Sequence, residues 1–232
     1  MFRFKQFEVD DSLCAMKVGT DGVLLGAWAD VARDSRIVDL GTGSGLIALM
    51  LAQRNENAMI KALDIDEGAV AQTRYNVERS AWQKRISVVR GDACEFYDEM
   101  PYDHIVSNPP FFTDSIPSPD ASRATARHCD TLNCFDIVEF ACRNLRDGGR
   151  ISLILPYDQA QRMRMRMFGR LWLVRQTEVI TKCGEMPKRV LLEFIRANEP
   201  QMPRCDSLAI YDDKGTYTDE YRLLTEEFYL KF

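Results

Sequence analysis

The chain has 232 residues, a formal net charge of −5, and 46% apolar against 28% charged side chains. That length suits one sizeable domain, and the acidic balance excludes attraction to nucleic acid over the whole surface while leaving room for a local basic patch. No apolar run nears the roughly 20 residues of a membrane helix, and no signal-peptide core follows the first residues. Seven cysteines without a C-x-x-C pair, with only His104 and His128, predict reduced thiols, no metal and a cytoplasmic location.

Residues 1–18 form an amino-terminal segment with Phe2, Phe4, Phe7 and Val9 as apolar anchors. Gly19-Thr20-Asp21-Gly22 leads into an apolar helix, with Thr20 or Asp21 as its expected cap or as part of a loop closing over a ligand. Residues 36–40 read as the first core strand, 41–45 as a glycine turn, and 46–52 as a buried helix. A second strand over 59–64 ends on Asp64, a helix covers 67–79, and a third strand over 86–89 leads to Gly91-Asp92-Ala93. The fourth strand, 102–106, runs into Ser107-Asn108-Pro109-Pro110-Phe111. Two prolines cannot continue a central strand, so the backbone leaves the sheet rigidly at that point. A long loop over 113–130 precedes a helix at 135–145, which Gly148-Gly149 should end. A fifth strand at 151–155, a helix at 158–168, strands at 171–180 and 190–195, and a helix at 218–230 complete the chain.

Five strand–helix alternations predict a Rossmann-like α/β fold with helices on both faces of a seven-stranded, mostly parallel sheet. The short connection before residue 190 makes the last strand antiparallel. The expected organisation is one domain: 1–35 closing over a cofactor, 36–195 as the catalytic core, and 196–232 as an extension.

The glycine turn departs from the dinucleotide pattern G-x-G-x-x-G: Gly41, Gly43 and Gly45 are followed by Leu46 where a third spaced glycine should stand. Carboxylates follow three successive strands. Asp39 is placed to meet an ammonium group, Asp64 to accept from ribose hydroxyls, and Asp92 to accept from the amine of adenine. Such a set suits a ligand with an amine, a ribose and a purine, and repels a pyrophosphate. In this order the residues resemble a class I S-adenosylmethionine-dependent methyltransferase over 36–195. The resemblance implies S-adenosyl-L-methionine as cofactor, held by Thr20, Asp39, Gly41, Gly43, Gly45, Asp64, Ile65, Asp92, Ala93 and Asn108.

An exocyclic amine attacks a methyl group poorly while its lone pair is delocalised. Acceptors at the Asn108 side chain and the Pro109 carbonyl would hold the amine pyramidal and aimed, which is positioning and preorganisation. Phe111 offers a ring on which a flipped base can stack. The catalytic set is therefore Asn108, Pro109, Pro110 and Phe111. This motif resembles that of amino-methyltransferases acting on adenine N6, guanine N2 or glutamine N5. The run Lys17-Val18-Gly19-Thr20-Asp21-Gly22-Val23-Leu24-Leu25, together with Asn108-Pro109-Pro110-Phe111-Phe112, Arg127-His128 and Pro187-Lys188-Arg189-Val190, is similar to the bacterial tRNA1(Val) adenine N6-methyltransferase family. Phe111 stands where many adenine enzymes carry tyrosine.

That resemblance implies methylation of adenine 37, beside the anticodon, by a monomer that binds the anticodon loop of tRNA. Phosphate contacts are expected from Arg123, Arg127 and His128, and from Lys188 and Arg189. An rRNA guanine-N2 or protein glutamine-N5 methyltransferase is the competing reading. Short flanks without a duplicated or helical companion domain disfavour it. A non-catalytic binding module is disfavoured by the intact Asn108-Pro109-Pro110-Phe111.

Overall fold

The computed structural model describes residues 1–14, 16–110 and 132–232. Phe111, Arg123, Arg127 and His128 lie outside the described residues. A two-residue hairpin, β1 (Phe2–Arg3) with β2 (Glu8–Val9), opens the chain. It is followed by α1 (Thr20–Trp28), β3 (Arg36–Leu40), α2 (Leu46–Arg54), β4 (Met59–Asp64), α3 (Glu67–Glu78), β5 (Ile86–Arg90) and β6 (Tyr102–Ser107). Then come α4 (Cys134–Asn144), β7 (Leu145–Pro156), α5 (Tyr157–Met167), β8 (Trp172–Lys182), β9 (Arg189–Ile195), β10 (Arg204–Tyr211) and α6 (Asp219–Thr225).

The main sheet has the order β10-β8-β9-β7-β6-β3-β4-β5, and only β9 runs antiparallel to its neighbours. The antiparallel strand expected at residues 190–195 is present, and an eighth strand, β10, extends the sheet beyond β8. Arg204-Cys205-Asp206-Ser207 carries no apolar pattern, because an edge strand with one buried residue, Leu208, needs none. Its hydrogen bonds come from register with β8.

Period-2 alternation splits the core in two. Ile37 and Leu191 face one apolar cluster with α1 and α2, while Val38, Leu40, Val190 and Leu192 face the other with α4 and α5. Helix α1 packs closely on α2: a Cβ on Gly26 would lie 2.7 Å from Met50 Sδ, and one on Gly22 would lie 3.0 Å from Leu46 Cδ2. Its cap is Gly19, without a side-chain bond, and neither Thr20 nor Asp21 caps it. Gly148 and Gly149 do not end α4 either. The helix stops at Asn144, and both glycines lie inside the first turn-like stretch of β7.

On the face of the sheet that α1 and α2 cover, His104 Nδ1 lies 2.7 Å from Asp34 Oδ2 and Nε2 lies 2.9 Å from Ser152 Oγ, which donates to Glu193 Oε2 at 3.2 Å. Arg150 closes the network on Asp34 at 3.1 Å. Burial raises the Asp34 carboxyl, but His104 and Arg150 outweigh it and hold the group below the usual carboxylate range.

Candidate active site

Strand order reverses between β3 and β6, which lie side by side with Asp39 opposite Val106. At such a switch point the loops leave in opposite directions and open a crevice at the carboxyl edge. The two chains that leave here are the glycine turn after Leu40 and the Asn108-Pro109-Pro110 exit after Ser107. Ser107 Oγ donates to Leu40 O at 2.7 Å, which ties the two exits together.

The glycine turn is fixed from both sides. Gly41 N and Thr42 N donate to Leu63 O, Thr73 Oγ1 donates to Gly43 O at 2.7 Å, and Asn76 Nδ2 donates to Ser44 O at 2.8 Å. Gly41 and Gly43 have φ of 71° and 57°, which a side chain rarely adopts, and a Cβ on either would meet nothing within 4 Å. Their backbone therefore faces open space. Gly45, φ 79°, is the cap of α2 and packs instead on Thr73, whose Cγ2 would lie 2.9 Å from a Cβ.

Asp39 lies wholly buried beneath this turn. Its Oδ2 accepts from Thr42 Oγ1 at 2.6 Å and from Ala48 N at 3.1 Å, so it satisfies one of the free N–H groups of α2. Its Oδ1 is buried without a partner among the described residues. Burial pushes the carboxyl up to about 7, against those two hydrogen bonds.

A cleft of about 260 Å³ opens above. Gly41, Gly43, Asp64, Ile65, Asp92, Ala93, Asn108 and Pro110 line it, so the structure brings most of the expected set together. Asp64 Oδ2 accepts from Gly43 N at 2.9 Å and Oδ1 from Asp66 N at 3.0 Å; burial raises its carboxyl and these bonds oppose the rise. Asp92 Oδ1 accepts from Cys94 N at 2.8 Å. Three carboxylates, Asp64, Asp66 and Asp92, line the cleft, and no lysine or arginine does among the described residues.

Four further expected residues lie elsewhere. Thr20 is exposed at the start of α1 and lines a neighbouring groove together with Lys188 and Arg189. Pro109 is buried behind the rim.

Cys14, Met16 and Asp66 line the cleft without any prior expectation. The first two arrive because α3 clamps the amino-terminal segment. Gln72 Oε1 accepts from Leu13 N at 3.0 Å and from Ser12 Oγ at 3.2 Å, and Asn76 Nδ2 donates to Asp10 O at 2.7 Å. These contacts span some 60 residues and leave no local signal. Met16 Sδ lies 3.9 Å from Asn108 Nδ2, so this segment walls the cleft directly against the rim amide. Asp66 caps α3, accepting from Ala69 N at 2.7 Å, which is a readable cap whose second position over the cleft is tertiary.

A family profile described as the methyltransferase small domain matches residues 19–181. A Phocaeicola vulgatus protein named tRNA1(Val) (adenine(37)-N6)-methyltransferase is 49% identical over 99% of this chain and 97% of its own length. Proteins of the same name from Bacteroides thetaiotaomicron and Haemophilus influenzae are 46% and 43% identical, over 99% and 100% of this chain and 97% and 99% of their own lengths. Among solved structures, an Agrobacterium tumefaciens protein described as a predicted O-methyltransferase superposes with a TM-score of 0.68 at 19% identity, covering 90% of this chain and 96% of that one. The N-methyltransferase NodS from Bradyrhizobium japonicum, in complex with S-adenosyl-L-homocysteine, gives 0.54 at 14% identity over 75% and 83% of the two chains. These two show the shared fold.

Proposed function

The chain belongs to the tRNA1(Val) (adenine(37)-N6)-methyltransferase family, and from that premise we propose that it methylates N6 of the adenine at position 37, next to the anticodon, of that tRNA. The observation that carries the reading is the pairing of an acidic cleft, lined by no lysine or arginine among the described residues, with a rim amide, Asn108, at the switch point. An anionic pyrophosphate would be repelled there. A ligand with an ammonium group, a ribose and a purine fits: the unpartnered Asp39 Oδ1 supplies a buried acceptor, and the open space over Gly41 and Gly43 admits a ligand against the backbone.

S-adenosyl-L-methionine, held in this cleft, supplies an electrophilic methyl group. Asp64 accepts from the ribose hydroxyls and Asp92 from the adenine amine, with Ile65 and Ala93 as apolar walls. Asp39, buried beneath the turn and outside the cleft lining, would reach the ammonium group from its free oxygen by way of a water. On the substrate side, the Asn108 side-chain oxygen and the Pro109 carbonyl accept the two hydrogens of the target amine. Holding both hydrogens favours the pyramidal nitrogen, whose lone pair is then available for attack. Pro109 and Pro110 fix these acceptors by removing backbone freedom, and Phe111 stacks the flipped adenine, a contribution of about 1–3 kcal/mol. Arg123, Arg127 and His128 contact the anticodon loop, and the enzyme works as a monomer without a metal.

The test is methyl transfer with labelled donor to total RNA from a strain lacking the enzyme, followed by nucleoside analysis. N6-methyladenosine in tRNA supports the proposal. Label in protein, or in 2-methylguanosine, refutes it.

A further inference from the structure

A concavity larger than the acidic cleft opens elsewhere on the same sheet. A groove of about 440 Å³ lies between the start of α1, the β8–β9 turn, the end of β10 and the final residues of the chain. Aromatic rings make its floor: Tyr217 stacks on Tyr211 at 4.8 Å and on Tyr221 at 5.2 Å between ring centres. Phe232 stands edge-on to Tyr217 and Tyr221, and Phe2 closes the other side. Phe2 and Phe232 each remain 40% exposed, so ring surface faces the solvent. The tyrosine hydroxyls meet in weak pairs, Tyr211 with Tyr217 at 3.4 Å and Tyr221 with Tyr229 at 3.3 Å, each retaining hydrogen-bonding capacity.

Cations rim the same groove. Lys188 has a 64% exposed side chain and only a loose 3.6 Å approach to Glu185, and Lys231 is exposed. Arg189 donates to Asp21 Oδ2 at 2.8 Å and anchors the wall to α1. In a chain of net charge −5 this local combination of rings, hydroxyls and ammonium groups has the chemistry of a single-stranded nucleic-acid platform. It is the reverse of the acidic cleft, whose lining among the described residues holds carboxylates and no lysine or arginine.

Position links the two. Register places Pro156 opposite Arg189 and Lys182 opposite Tyr211, so the groove opens on the carboxyl edge of the sheet, where Asn108 also emerges. In the sheet β9 stands two strands from β6, and β10 four. At about 4.8 Å per strand the groove therefore begins roughly 10 Å from the rim amide and ends roughly 19 Å away. The chain itself bridges the gap: Met16 touches Asn108, and five residues on Asp21 holds Arg189.

We propose that this tyrosine-floored groove is a second RNA-contact site that takes the single-stranded nucleotides flanking the target adenine, stacking a base on Phe232 and Phe2 while Lys188 and Lys231 hold phosphates. The assignment rests on the tRNA-methylation reading and extends it to residues outside the methyl-transfer site. The groove sets register, so that only an adenine at a fixed distance from an unpaired neighbour reaches Asn108.

The experiment compares the full-length protein with the triple variant Lys188→Glu/Lys231→Glu/Phe232→Ser, all at exposed positions. Substrates are whole tRNA and a minimal adenine-containing oligonucleotide too short to span from Asn108 to the groove. For whole tRNA, KM rises tenfold or more and the slope of log affinity against log salt shrinks by about 2, one per lost lysine contact. For the short oligonucleotide and for the methyl donor, KM stays at the wild-type value. Phe232→Ser alone, which leaves charge untouched, raises KM for whole tRNA severalfold at unchanged salt slope. Equal losses on both RNAs would make the groove a packing feature and overturn the proposal, as would an unchanged KM for whole tRNA. A wild-type protein that labels no tRNA adenine would overturn the function itself, a result separable from either of these.

Discussion

Replacing Asp39 by asparagine keeps the shape of the side chain and removes an ionisable group from a fully buried position. Burial lifts this carboxyl from 3.8 to about 7, a displacement of about 3. At 1.36 kcal/mol for each pH unit, holding it ionised above pH 7 costs roughly 4 kcal/mol. The folded pKa lies above the unfolded one, so this contribution to stability is complete below about pH 4 and is lost as pH rises through about 7. Asparagine has no such dependence, but it places an N–H group where Oδ1 has no partner, at a cost of about 1–3 kcal/mol. The variant is therefore less stable than wild type by about 1–3 kcal/mol at pH 4 and more stable by about 1–3 kcal/mol at pH 8. The two curves cross between. In thermal unfolding each kcal/mol appears as about 2–4 °C for a chain of this size. Calorimetric titration with S-adenosylhomocysteine, which carries the same ammonium group, gives at least a tenfold weaker affinity for the variant at pH 8. A variant that trails wild type by one constant margin across the whole range, or that binds equally well, would refute the assignment of a buried, ligand-matched charge to Asp39.

Asn108→Ala lowers kcat by about 100-fold or more while the affinity for S-adenosylhomocysteine stays near wild type, since the amide acts on the substrate amine; single-turnover methylation beside calorimetry separates the two. Asp64→Asn raises KM for the methyl donor and leaves KM for tRNA unchanged, as steady-state kinetics with each substrate varied will register. His104→Ala removes the buried partner shared by Asp34 and Ser152 and destabilises the fold by about 3–5 kcal/mol, measured by urea unfolding, with little change in KM for either substrate. Gly26→Leu drives a side chain into Met50 and costs about 1–3 kcal/mol or more by separating α1 from α2.

Much of the site was legible because local physics dictates it. Strand, glycine turn and helix leave a periodic signature, and a double proline can only be a rigid exit, so Gly41, Gly43, Asp64, Asp92 and Asn108 could be marked before any contact was known. The structure gathers those five around one cleft. Its reading of Asp39 is different in kind. The sequence marks Asp39 only as a carboxylate expected to meet an ammonium group, whereas burial beneath the turn reveals that one oxygen caps α2 while the other is left unpartnered among the described residues.

By itself, the order of residues determined the α/β alternation, the antiparallel strand β9, and the family, since each depends on neighbours within a few positions or on a motif read in line. Tertiary structure alone decided where the amino-terminal segment goes. Cys14 and Met16 reach the cleft because Gln72 and Asn76, some 60 residues away, bind the backbone ahead of them. It also decided that Thr20, Lys188 and Arg189 share a groove with tyrosines from the end of the chain. Pairing of β10 with β8 creates that groove, and a polar edge strand announces its partner by hydrogen-bond register, which no local pattern encodes.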